Sequence, residues 1–99
     1  MKPCLLQHEA EHELNAAAAY YERQRRGLGL ELLDEVAHAI ELIERFPLAW
    51  PLHRRSGLRA VALPRFPFVL HYLEAPDALW IIAVAHTKRE PGYWRGRLG

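Results

Sequence analysis

From about His8 to Arg25, the residues Ala10, Leu14, Ala17, Ala18 and Tyr21 recur at spacings of three and four. That periodicity makes one apolar stripe and predicts a helix. Glu9, Glu11 and Glu13 near its start and Arg23, Arg25 and Arg26 near its end suit the helix dipole. Gly27-Leu28-Gly29 breaks the pattern. A second stripe of Leu32, Val36, Ala39, Ile43 and Phe46, with Leu33, Ala37 and Ile40 beside it, predicts a helix from about Leu30 to Arg45. So short a break implies an antiparallel hairpin of helices. Pro47 ends the second helix, because the residue before a proline is pushed out of the helical region.

The second half of the chain changes period. Arg59 to Leu63, Phe68 to Glu74 and Leu79 to His86 are rich in Val, Ile, Phe, Tyr and Trp and have strand length. Pro64 to Pro67 separate the first two strands, and Ala75-Pro76-Asp77 turns between the second and third. Pro3-Cys4-Leu5-Leu6 reads as a brief leading strand, and Tyr93 to Leu98 as a helical turn or ordered tail. The expectation is one α+β domain over residues 1–99: a short N-terminal strand, a helical hairpin packed on an antiparallel sheet, and a tail. In the last strand, strict alternation puts Leu79, Ile81, Ala83 and Ala85 on one face and Trp80, Ile82 and Val84 on the other. Both faces are apolar and both need cover. The helices cover one; the tail or a partner segment covers the other.

Composition adds three constraints. The longest unbroken apolar run is eight residues, Ala78 to Ala85, far short of a bilayer span. No secretory leader is evident, and the one cysteine, Cys4, cannot form an internal disulfide, so a cytoplasmic protein is expected. Cys4 itself reads as a small core residue. The net charge of +1 hides a polarity: residues 1–50 carry five basic and nine acidic side chains, and residues 51–99 carry eight and three. A basic half suggests an anionic partner, either nucleic acid or an acidic peptide.

His8-Glu9-Ala10-Glu11-His12 matches H-E-x-x-H, in which two histidines on one helix face bind zinc and the glutamate acts as base. At about 100° per residue the histidines fall opposite the stripe of Ala10, Leu14, Ala17 and Tyr21, facing solvent. Catalytic zinc needs a third protein ligand in a partly dry cleft, and the sequence offers none close by. A zinc hydrolase is therefore a minor alternative, and no metal or other cofactor is expected.

Several local stretches follow one another in a particular order. They are Ala16-Ala17-Ala18-Ala19-Tyr20-Tyr21-Glu22, Gly27-Leu28-Gly29, Phe46-Pro47-x-x-Trp50-Pro51, Arg65-Phe66-Pro67-Phe68-Val69-Leu70-His71-Tyr72, and Ala83-Val84-Ala85-His86-x-x-Arg89-x-Pro91-Gly92-Tyr93-Trp94. Together, from about Leu5 to Arg97, they resemble the RelE/ParE family of type II toxin–antitoxin toxins. The resemblance implies a β-α-α-β-β-β fold, a bacterial growth inhibitor, and a cognate antitoxin that wraps the toxin as a hetero-oligomer away from any membrane. Within that family RelE-like members cut mRNA on the ribosome, whereas ParE-like members poison DNA gyrase.

Metal-free RNA cleavage needs groups that activate the 2′-hydroxyl, stabilise the phosphorane and protonate the leaving oxygen. Where RelE-like enzymes carry basic residues on the sheet, this chain has Ala60, Ala62 and Val69, and His86-Thr87 stands where a basic pair is expected. Only Tyr93 matches the C-terminal tyrosine, so the resemblance is closer to the ParE branch. If the chain were a ribonuclease, Arg59, Arg65, His86, Arg89 and Tyr93 would be its candidates. His86, Arg89, Tyr93, Trp94 and Arg95 form a basic-aromatic cluster suited to gripping a target. Arg54, Arg55, Arg59 and Arg65, with Trp80, are candidates for holding an acidic antitoxin segment. His71, inside a strand, reads as a structural histidine, and Trp50-Pro51 as a cover for the end of the second helix.

Overall fold

The computed structural model describes residues 1–98. In chain order these form β1 (Cys4–Leu6), α1 (His8–Gln24), α2 (Leu28–Arg45), β2 (Leu52–His53), β3 (Leu58–Ala62), β4 (Phe68–Glu74), β5 (Leu79–His86) and a 3₁₀ turn (Arg95–Leu98). The five strands make one sheet in the order β1-β5-β4-β3-β2. This is the expected α+β architecture, with two differences. The sheet is mixed rather than antiparallel, because β1 runs parallel to β5. An unexpected two-residue strand, β2, pairs with β3 and forms one edge.

The helical hairpin forms as the stripes dictate. Ala10 and Leu14 of α1 and Leu32, Val36, Ala39 and Ile43 of α2 are buried. Phe46, placed in the second stripe by its spacing, is instead about half exposed, because α2 stops at Arg45. The hairpin turns at Gly27, whose φ of +88° lies in the left-handed region. No side chain at the cap position serves the start of α2. The Glu22 carboxylate in the last part of α1 does so instead, accepting the Gly27 N–H at 2.9 Å and the Gly29 N–H at 3.0 Å. Gly29 lets the helices close up: a Cβ there would lie 2.5 Å from the Ala18 carbonyl oxygen.

The helices pack on one sheet face against Leu70, Tyr72, Leu79 and Ile81, each 1% exposed or less. A fully buried aliphatic side chain of this kind stabilises the fold by roughly 1.5–3 kcal/mol. Tyr72 also fixes the exit of α2, its hydroxyl donating to the Pro47 carbonyl at 2.6 Å. Trp50 packs edge-on against the same ring.

On β5 the strict alternation fails. His71 pairs with Ala83 but Tyr72 pairs with Ile81, so Ile82 is an extra residue, a β-bulge. One inserted residue reverses the facing of everything beyond it. Leu79 and Ile81 face the helices, but so does Val84, while Ile82 and Ala83 both join the cluster on the opposite face. That second face is covered at one end by the chain's own tail, with Trp94 seated on Leu58, Ile82 and Ala83.

Candidate functional site

Beyond the reach of Trp94, the face of the sheet turned away from the helices is the floor of a groove of about 560 Å³. Ala60 of β3, Val69 and His71 of β4 and Ala85 of β5 make the floor. One wall is the β2–β3 hairpin with His53 and Ser56; the other is the segment Arg89–Arg95. The small floor residues follow from the register, since Ala60 lies opposite His71, Ala62 opposite Val69, and Val69 opposite Ala85.

The tail wall is held by a carboxylate from the far side of the molecule. Glu13 accepts two hydrogen bonds from the Arg97 guanidinium, each at 2.9 Å, and one from the Tyr93 hydroxyl at 2.6 Å. It also accepts the Val84 N–H at 3.0 Å, and Arg97 donates to the Ile82 carbonyl at 3.1 Å. Those last two contacts serve main-chain groups of β5 where β1 has already ended, so part of that sheet edge is closed by side chains. Burial disfavours the Glu13 charge, but the hydrogen bonds from Arg97, Tyr93 and Val84 outweigh it and hold the carboxyl below its ordinary value. Burial, aided by the bond to Glu13, pushes the Tyr93 phenol up to about 12.

Three histidines line the groove: His53, His71 and His86. In His53, Nδ1 takes the Ser56 N–H at 3.4 Å and faces the Ser56 hydroxyl at 3.3 Å. In His86, Nδ1 accepts the Lys88 N–H at 3.0 Å. Each is thereby fixed with its remaining proton on Nε2, a donor. His71 lies against Trp94, ring centroids 4.9 Å apart. Burial first, and then nearby His53, favour its neutral form and lower its pKa, which Glu13 raises in part.

The candidates named from the sequence are scattered by the fold. His86, Arg89, Tyr93, Trp94 and Arg95 do converge on the groove. Trp94 lines the groove but is only 7% exposed, seated in the second hydrophobic cluster. The Tyr93 ring is covered by the Arg89 guanidinium, 3.9 Å from its centroid, and its hydroxyl is spent on Glu13. Arg54 and Arg55 are exposed on the β2–β3 turn. Arg59 donates to the Trp50 carbonyl at 2.6 Å. Arg65 is drawn onto α2 by Glu31 and Glu35, away from the groove. Trp80 is partly buried against the second cluster. His8 and His12 are exposed on α1, and among the described residues no three His, Cys, Asp or Glu side chains gather as a metal site. His53, Ser56, Glu13 and Arg97 were not anticipated. With Glu9, Glu11, Glu13 and Glu22 all in α1, nothing in the sequence singles out Glu13 as the partner of Arg97.

The fold, with its leading strand, helical hairpin and mixed sheet, is one already seen in a solved structure. A chain of the solved chromosomal ParDE toxin–antitoxin system from P. aeruginosa superposes with a TM-score of 0.65 at 16% identity, covering 87% of this chain and 96% of that one. No family profile and no curated protein sequence matches the chain. Among the described residues no helix is long and apolar enough to cross a membrane.

Proposed function

We propose that this protein is the toxin of a type II toxin–antitoxin pair, that it arrests bacterial growth by binding DNA gyrase, and that a cognate antitoxin neutralises it in the cytoplasm. The observation that carries the non-nucleolytic part is the state of the groove. Its floor offers Ala60, Val69 and Ala85 where charge stabilisation would need cations, and the Tyr93 hydroxyl is committed to Glu13. With no cation on that floor and no free tyrosine hydroxyl, the groove lacks the basic-and-tyrosine set expected of the RelE-like enzymes. The superposition on a ParDE chain supports the toxin reading. His86, Arg89 and Arg95 on the groove wall are the target-binding residues of this reading, and Arg54 and Arg55 on the neighbouring turn hold an acidic stretch of antitoxin.

A gyrase supercoiling assay with the purified protein tests it. Inhibition at stoichiometric protein, relieved by antitoxin, is expected; full supercoiling at excess protein removes gyrase as the target. One feature favours a second reading, a ribosome-dependent mRNA endonuclease. His86 and Arg89 line the same groove, an imidazole N–H donor and a guanidinium beside one another. Primer extension on translating ribosomes decides it, since that enzyme leaves codon-positioned cuts and a binding toxin leaves none.

A further inference from the structure

The hydrogen-bonding inventory of the groove is one-sided. His53 and His86 each present an Nε2–H, because main-chain N–H groups already occupy their Nδ1 atoms. Arg89 and Arg95 add guanidinium donors on the tail wall. Among the described residues, the lining sets one side-chain carboxylate against these, that of Glu90. The groove therefore suits a ligand that brings acceptors, and negatively charged ones above all. Nucleic acid and acidic peptide both qualify on charge. They differ in what else they need. A single strand of nucleic acid needs free aromatic faces on which to stack its bases. Here Trp94 is buried under His71 and Tyr93 lies under Arg89, so neither of these two large rings offers a free face for stacking. A peptide needs an apolar floor with room for side chains, which Ala60, Val69 and Ala85 supply.

We propose that the groove is a receptor for an acidic, apolar peptide segment of a partner protein, with one carboxylate of that segment held by the imidazoles of His71 and His53. This rests on the reading that the protein works by holding a protein partner. Among the described residues the His71 side chain has no hydrogen-bond partner, although its ring lies against Trp94 at the groove floor. The residues paired with it are Ala60 on β3 and Ala83 on β5, neither ionisable. The charged or titratable groups around it are His53 from the β2–β3 wall, Glu13 from α1, His86 at the end of β5, and Arg89, Glu90, Tyr93 and Arg95 from the tail wall. In the free protein burial, and then His53, favour its neutral form. A carboxylate arriving beside it reverses that preference, so binding takes up a proton and strengthens as the pH falls through the imidazole range. The peptide's own carboxylate stays ionised there.

The test is nuclear magnetic resonance with isotope-labelled protein and two probes, acetyl-Leu-Glu-Leu-Leu-Glu-Leu-amide and its glutamine counterpart. The glutamate peptide is expected to shift the amides of Ala60, Val69, His71 and Ala85, and to bind at least about threefold tighter at pH 6 than at pH 8. It should also raise the titration midpoint of the His71 ring. The glutamine peptide should show no such pH dependence. His71→Phe keeps a ring on Trp94 but cannot gain charge, and it should flatten the pH dependence of the glutamate peptide. Equal, pH-independent binding of the two peptides overturns the proposal. So do shifts confined to other surfaces, or a single-stranded oligonucleotide that moves the same amides more strongly than the peptide. If His71→Phe does not fold, the His71 midpoint in the native protein decides alone. A negative supercoiling assay removes gyrase but leaves the peptide result standing, so the two failures are distinguishable.

Discussion

Glu13 and Arg97, 84 positions apart in the chain, meet in a two-pronged ion pair that fastens the C-terminal turn to the first helix. Both side chains are less than a fifth exposed, so the pair is far from a screened surface contact. Removing one partner leaves the other charge part-buried without its counterpart. Glu13→Gln should therefore lower stability by about 2 kcal/mol, read as a shift in the urea midpoint. The pH dependence has a definite sign. The Glu13 carboxyl titrates lower in the folded state than its ordinary value of 4.5. Its contribution is full above that ordinary value and is lost as the pH falls through the lower folded value. The variant should show a flatter acid limb than the parent, and an unchanged limb would remove the pair from the account.

Tyr93 sits on the same carboxylate, and its phenol reaches about 12, as does that of Tyr72, both chiefly through burial. Absorbance titration of the four tyrosines should therefore show two ionising last, with Tyr21 also raised above its ordinary value by burial. Tyr93→Phe should remove one late step and cost about 1 kcal/mol through the lost hydrogen bond. The stability that Tyr93 lends is complete below the ordinary value of 10 and disappears as the pH rises through about 12. The variant should thus differ most from the parent at neutral pH and least in strong alkali. A late step that survives in Tyr93→Phe would assign the shift elsewhere.

The helical hairpin was legible because its stripes record burial directly, and β4 and β5 because their bounding turns carry proline. The parallel pairing of β1 was not, since three residues such as Cys4–Leu6 say nothing about which strand they join or in which sense. The bulge at Ile82 was hidden for a related reason. Every residue from Ala78 to Ala85 is apolar, so alternation carries no information about facing, and Val84 was placed on the wrong side. The groove was half legible. Its tail residues were found as a basic-aromatic cluster, but only the fold reveals that Trp94 is core and that His53 approaches from the other wall. Arg65 illustrates the limit of counting cations: its guanidinium answers Glu31 and Glu35 on α2, which no local sequence pattern announces.

Gly27 and Gly29, two positions apart, should respond to alanine for different reasons. At Gly27 the obstacle is the backbone, with φ at +88° and nothing within 4 Å of the added Cβ. The cost should be about 1–2 kcal/mol, set by the left-handed conformation alone. At Gly29 the added carbon meets the main-chain carbonyl of Ala18 at 2.5 Å, so the two helices must move apart. That should cost about 1–3 kcal/mol and disturb the bonds from Gly27 and Gly29 to Glu22. Thermal melts of the two variants, with chemical shifts of Ala18 and Glu22 as the local readout, separate the cases. Shifts at Ala18 in Gly27→Ala but not in Gly29→Ala would contradict the assignment.

Arg89 and Arg95 are exposed residues of the groove wall, whereas Arg65 is exposed beside α2, paired with Glu31 and Glu35. Removing exposed arginines changes stability little, within about 1 kcal/mol even where one stacks on a tyrosine. Their effect on activity should therefore divide by position rather than by charge count. The double variant Arg89→Ala with Arg95→Ala should melt within a few degrees of the parent and lose most of its growth arrest when expressed without antitoxin. Arg65→Ala removes a cation as well but should arrest growth as the parent does. Colony counts after induction, with expression matched by immunoblot, give the comparison. Full arrest by the double variant would take the groove wall out of the target contact and move attention to Arg54 and Arg55 on the adjoining turn.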